Sequence, residues 1–134
     1  MQSISGIIYL ILTACLLPYA FAVIAKVAGG FRAQDNQNPR QFLSQTTGLA
    51  ARANAVQQNS FEGLPLFIAA ILIAEYMVIS HSIIMTFGIA YLLLRVVYGL
   101  CYLFNWATLR SIVWFMALSC PVLLLLLVIK LTVG

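Results

Sequence analysis

The chain has 134 residues, 63% of them hydrophobic and only 7% charged, with a formal net charge of +4. A soluble domain carries roughly a quarter charged residues, so a water-soluble globule is excluded and an all-α integral membrane protein is indicated. No basic run is interleaved with aromatics, which leaves nucleic-acid binding without support.

In chain order, a first span is expected over about 5–28. Residues 1–25 carry no charge. A cleavable leader wants a basic start, so this segment reads as a retained helix, kinked at Pro18 but held by its neighbours. Residues 29–45, GGFRAQDNQNPRQFLSQ, are polar, contain Gly29, Gly30 and Pro39, and read as a loop. A second helix is expected over about 46–79, a third over about 83–104 and a fourth over about 111–131, giving one four-helix membrane domain over 1–134. Cys15, Cys101 and Cys120 fall in apolar stretches without metal-ligand spacing, so no metal is expected. No internal repeat suggests a transporter of duplicated halves, and the first span has no acid that a compact exporter would need.

Arginines set the orientation. Arg32, Arg40 and Arg52 flank the first connection and Arg110 sits in the third. By the positive-inside rule these connections face the cytoplasm, and both termini lie on the opposite side. His81, in the opposite hairpin, reads as a solvated turn residue.

The second helix poses a problem. Between Glu62 and Glu75 lie twelve uncharged residues, which as helix cover about 18 Å, whereas a hydrocarbon core is about 30 Å thick. A helix that spans must therefore take Glu62 into the membrane. Arg95 divides the third span in the same way. Such residues are expensive in a bilayer and usually face a bundle interior with a partner. Counted from the hairpin at Ser80–His81, Glu62 and Tyr98 lie at similar depth, as do Asn59 with Tyr102 and Arg52 with Arg110, and Arg95 falls about one turn deeper than Glu62. Arg52, Asn59 and Glu62 share one helix face; Arg95, Tyr98 and Tyr102 share another. Two matched polar stripes opening to the Arg-rich side describe a cleft for a small anion, since Arg forks suit carboxylates. The plainer alternative is a Glu62–Arg95 ion pair that fixes helix register, with tyrosines of an interfacial belt.

The stretch Arg52…Asn59-Ser60-Phe61-Glu62-Gly63-Leu64-Pro65 resembles the second-helix signature of the MAPEG family, membrane-associated proteins in eicosanoid and glutathione metabolism. Arg95-Val96-Val97-Tyr98, Tyr102 and Arg110 resemble its third-helix signature and the arginine beyond it. The resemblance implies a homotrimer of four-helix subunits with glutathione bound between subunits near the cytoplasmic face. Carried over by position, Arg32, Arg52, Gln57, Asn59, Glu62, Arg95, Tyr98 and Tyr102 would bind glutathione. Glu62 would take its γ-glutamyl amino group and the arginines its carboxylates. Arg110 would be the catalytic residue that stabilises the thiolate. The second substrate would be a hydrophobic electrophile or lipid hydroperoxide arriving through the bilayer. The chain departs from glutathione-using relatives at Ala55, where they often have Arg, and at Gly63, where some have Tyr. Its DNQNPR loop looks like a bacterial branch, which implies an inner-membrane location. The expected activity is a glutathione-dependent transferase or peroxidase; the alternative is a non-enzymatic lipid- or ligand-binding protein of the same fold.

Overall fold

The computed structural model describes residues 2–134. Its helices are α1 (Gln2–Gly29), the short α2 (Pro39–Ser44), α3 (Gly48–Tyr76), α4 (His81–Leu103) and α5 (Ala107–Val133), with no strand among the described residues. α1, α4 and α5 are each long and apolar enough to cross a membrane, which makes the chain an integral membrane protein. α3, the second of the four expected spans, falls outside that set, because Asn59, Glu62 and Glu75 dilute its apolar run. Its length is not the obstacle. At 29 residues it extends about 43 Å, unbroken through Glu62 and Pro65.

The first connection differs from the loop expected there. A 3-10 turn over Ala33–Gln37 leads into α2. Pro39 starts that helix instead of breaking one. It occupies the first turn, where its missing N–H leaves no bond unmade, and the Asn38 side chain accepts the Gln41 N–H at 3.2 Å as an N-cap. The third connection is tight because Asn105 takes a left-handed φ of 61°, a conformation Asn tolerates at a helix end. The Trp106 N–H then reaches back to the Cys101 carbonyl at 2.8 Å.

α1 packs chiefly on α3 and α4 chiefly on α5. In the half nearer the α3–α4 hairpin, Ile7, Leu10, Phe67, Ala70, Ile71, Ala74, Ile84, Ala117 and Leu124 form a continuous apolar core. Its alanines let helix backbones approach closely, as bundles in lipid require. A second, smaller cluster of Phe21, Val56, Tyr98 and Val113 lies nearer the Arg-rich end. Outward-facing Ile8, Leu12, Leu16, Leu93, Phe115, Leu123 and Leu126 are each about half exposed or more, a surface suited to lipid.

α1 and α4 meet through two notches. A Cβ on Gly88 would stand 2.1 Å from Leu10 Cδ2, and one on Gly99 would stand 2.1 Å from Phe21 Cζ. Both pairs are eleven residues apart along their helices, close to three turns, so the two contacts lie in one seam. Leu10 and Phe21 are both buried, so neither side chain has open space to move into. Gly99→Ala is expected to destabilise the bundle by about 1–3 kcal/mol, with part of the loss recovered by Phe21→Leu. Thermal unfolding in detergent, followed by helical circular dichroism, checks both; full tolerance of the alanine would contradict the seam.

Candidate functional site

Arg95 lies in the middle of α4 and is only 4% exposed. Its position four residues after Tyr91 and three before Tyr98 puts all three on one helix face, turned toward α3 and α5. One terminal guanidinium nitrogen, Nη2, donates to Asn59 Oδ1 at 2.9 Å and to Ser60 Oγ at 3.0 Å. The guanidinium carbon lies over the Tyr98 ring, 4.3 Å from its centroid. Its Nε is buried and has no partner.

The Glu62–Arg95 ion pair, the plainer alternative to a cleft, is not formed. Arg95 points between Asn59 and Ser60, whereas Glu62 stands about 60° round α3 from Asn59, on the side away from Ser60. Glu62 is exposed, on an outward stripe with Gln58, Pro65, Ala69 and Tyr76. The buried cation is thus held by neutral oxygens and an aromatic face. Such contacts offset only part of the cost of removing a charge from water.

From Arg95 a stacked series climbs α4 toward the Arg-rich end. Tyr98 meets Tyr102 edge-to-face at 5.8 Å, and the Arg110 guanidinium lies over Tyr102 at 4.4 Å. The spacing of Arg95, Tyr98 and Tyr102 builds this series on α4, and the Asn105 turn brings Arg110 of α5 over its end. Asn59, Tyr98, Tyr102, Arg110, Ser111, Trp114 and Phe115 line a cavity of about 260 Å³ there. Its lining carries one cation and no acid, with two phenols, an amide, a hydroxyl and the Trp114 indole N–H as hydrogen-bonding groups. An anion with amide groups is the complementary ligand. A second cavity, of about 140 Å³, lies deeper and shares Asn59 and Trp114 with the first; Glu62, Gly63, Leu66, Tyr91, Arg95, Ala117, Leu118 and Pro121 complete it.

The other expected site residues stand apart. Arg52 is directed to the end of α4, where its Nε donates to the Leu103 carbonyl at 3.2 Å and caps that helix terminus. Arg32 is exposed in the first connection, and its backbone N–H donates to Asp35 Oδ2 at 2.7 Å. Gln57 shares the helix face of Phe61, whose ring packs edge-to-face on Tyr19 of α1 at 5.2 Å; it faces α1, and its Oε1 is buried without a partner. Sequence reasoning missed Ser60, Tyr91 and Trp114. Tyr91 was within reach, because it extends the stripe of Arg95, Tyr98 and Tyr102 by one turn. Among the described residues no cluster of three or more His, Cys, Asp or Glu could hold a metal.

The model of the MAPEG family matches residues 6–130. No curated protein and no solved structure matches the chain.

The Arg95 geometry separates two substitutions. Asn59→Leu leaves a buried cation with one partner fewer and is expected to cost about 2–3 kcal/mol. Arg95→Met removes the charge with its needs and is expected to cost less, or to stabilise. Unfolding midpoints of the two variants check the order; a larger loss for Arg95→Met would make the arginine a structural strut.

Proposed function

The chain belongs to the MAPEG family, and from that premise we propose that it is a glutathione-dependent membrane enzyme acting on hydrophobic electrophiles. The observation that carries this reading is the upper cavity. Arg110 borders it with a guanidinium that rests on a tyrosine face and that forms no side-chain hydrogen bond or ion pair among the described residues. An unengaged cation beside the bound sulfur favours a thiolate over a thiol, and the thiolate is the nucleophile.

In this account glutathione lies along the Arg110–Tyr102–Tyr98 series. The phenols and Asn59 take its amide and carboxylate groups, and Arg110 stands by the sulfur. The thiol proton leaves to solvent at the open, Arg-rich end. The thiolate then forms a C–S bond at an electrophilic carbon, and the leaving group departs with its electron pair. With a hydroperoxide, the sulfur instead attacks the terminal oxygen, the O–O bond breaks, and the alkoxide takes a proton from solvent and leaves as the alcohol. A second glutathione thiol then displaces water from the sulfenic acid to give the disulfide. The apolar partner arrives laterally, since the outer helix faces present large hydrophobic side chains.

Glu62 supports assembly as a homotrimer. An exposed carboxylate on the outward stripe of α3 is expensive against lipid and reasonable against a second copy. Arg32, Arg52 and Gln57, which stand outside the cavities of one chain, would complete a site formed between copies. The upper cavity alone is also smaller than the roughly 300 Å³ of a usual small-molecule site. Arg32, Arg40, Arg52 and Arg110 gather at one end of the bundle, which favours a cytoplasmic position for that end, in an inner membrane. A non-enzymatic binding role is the second reading, favoured by Ala55 and Gly63, which remove two polar contacts from the cleft.

Conjugation of glutathione to chlorodinitrobenzene by purified protein in detergent tests the reading. Arg110→Ala is expected to lower kcat/KM by about a hundredfold, the scale of losing one charge-stabilising group, with the fold unchanged. Equal rates for the two proteins would remove the thiolate role and leave the binding reading.

A further inference from the structure

The deeper cavity contains polar groups that the thiol chemistry does not use. Tyr91 is 4% exposed, and its ring stacks on Phe67 at 4.2 Å with the planes 14° apart. That stacking fixes where the hydroxyl goes. It sits over Gly63, where a Cβ would come within 2.8 Å of the phenolic oxygen, so the missing side chain of Gly63 is what gives the hydroxyl its place. No hydrogen-bond partner takes that hydroxyl among the described residues. Arg95, equally buried, contributes to the same cavity and carries a buried Nε without a partner. Buried polar groups are nearly always satisfied, so the unpartnered Arg95 Nε, with the free Tyr91 hydroxyl on the same cavity, marks a place where something binds.

The rest of the lining says what kind of molecule it is. Leu66, Trp114, Ala117, Leu118 and Pro121 make most of the wall. A single water would serve the donors but leave most of about 140 Å³ empty, because a water takes about 30 Å³. Glu62 borders the same cavity without pairing with Arg95, so the lining offers one cation and one carboxylate and favours no ligand with a net charge. Both unpartnered groups can donate, and neither lies on the path from Tyr98 to Arg110. We propose that this cavity is a second, intramembrane binding site for a small neutral apolar molecule bearing a carbonyl oxygen, which the Tyr91 hydroxyl and Arg95 Nε hold. The site is reached at membrane depth, so its ligand is lipid-soluble. It stands whether or not glutathione is the ligand of the upper cavity.

Trp114 borders the cavity and supplies the readout. In a Trp106→Phe background it is the only tryptophan left of the two in the chain. Its emission is titrated with cyclohexanone, methylcyclohexane and cyclohexanecarboxylate in detergent. Cyclohexanone is expected to bind saturably and more tightly than either analogue. Tyr91→Phe, which keeps the ring stacked on Phe67, is expected to weaken the ketone about tenfold, the scale of one buried hydrogen bond, and to leave methylcyclohexane unchanged. Gly63→Ala, which pushes the hydroxyl from its place, is expected to weaken the ketone likewise. Three results would overturn the proposal: ketone affinity unaffected by Tyr91→Phe, an equal loss for ketone and hydrocarbon, or tightest binding by the carboxylate. Absence of any saturable change at Trp114 would do the same, leaving the cavity to water.

Discussion

The burial of Arg95 organises this molecule. A guanidinium inside a membrane bundle must be met by hydrogen-bond acceptors, and α3 supplies them from adjacent residues, Asn59 and Ser60. Those two bonds tie α3 to α4 at a level where neither helix is apolar enough to dispense with partners. Tyr98 covers the cation's face, Tyr102 follows Tyr98, and Arg110 closes the series. Both cavities open on this line, the upper one at Tyr98, Tyr102 and Arg110 and the deeper one at Arg95, so their positions follow from where Arg95 is held. Because the partners are neutral, the arrangement is poorly compensated as a structural device. A ligand that uses the leftover donor explains its cost better than helix register does.

Much of this was legible from composition and spacing. Charge-free runs identified the outer spans, and α4 was evident once Arg95 was accepted at depth. The structure brings Asn59, Arg95, Tyr98, Tyr102 and Arg110 to one region, at depths that counting along α3 and α4 makes legible. What failed was angular detail. Depth leaves Glu62 within reach of Arg95 one turn deeper; the 100° advance per residue sends Glu62 outward and leaves Asn59 and Ser60 as the partners. Pro39 illustrates a local error of the same kind, since a proline stops a helix that reaches it but starts one that it leads. Gln57, Arg52 and Arg32 lie outside the cavities of a single chain because helix facing, capping and loop position direct them elsewhere.

The departures at Ala55 and Gly63 look different once the fold is known. Ala55 simply removes a cation from the start of the cleft. Gly63 does more than remove a side chain, because its bare backbone admits the Tyr91 hydroxyl from α4. The substitution shifts hydrogen-bonding capacity from the polar cavity toward the apolar one. Any difference in substrate range between this chain and glutathione-using relatives is expected to arise at that point.

The central claim is that Arg110 and the tyrosine series above Arg95 bind glutathione and hold its sulfur as the anion. Free glutathione is mostly thiol at neutral pH, since an unperturbed thiol has a pKa of about 8.5. The most direct measurement is therefore ultraviolet difference absorbance of the thiolate as glutathione is titrated into the folded protein at neutral pH. The account expects a thiolate band that grows saturably with ligand and does not form when S-methylglutathione replaces it. A folded protein that gives no thiolate band at saturating glutathione would contradict the account.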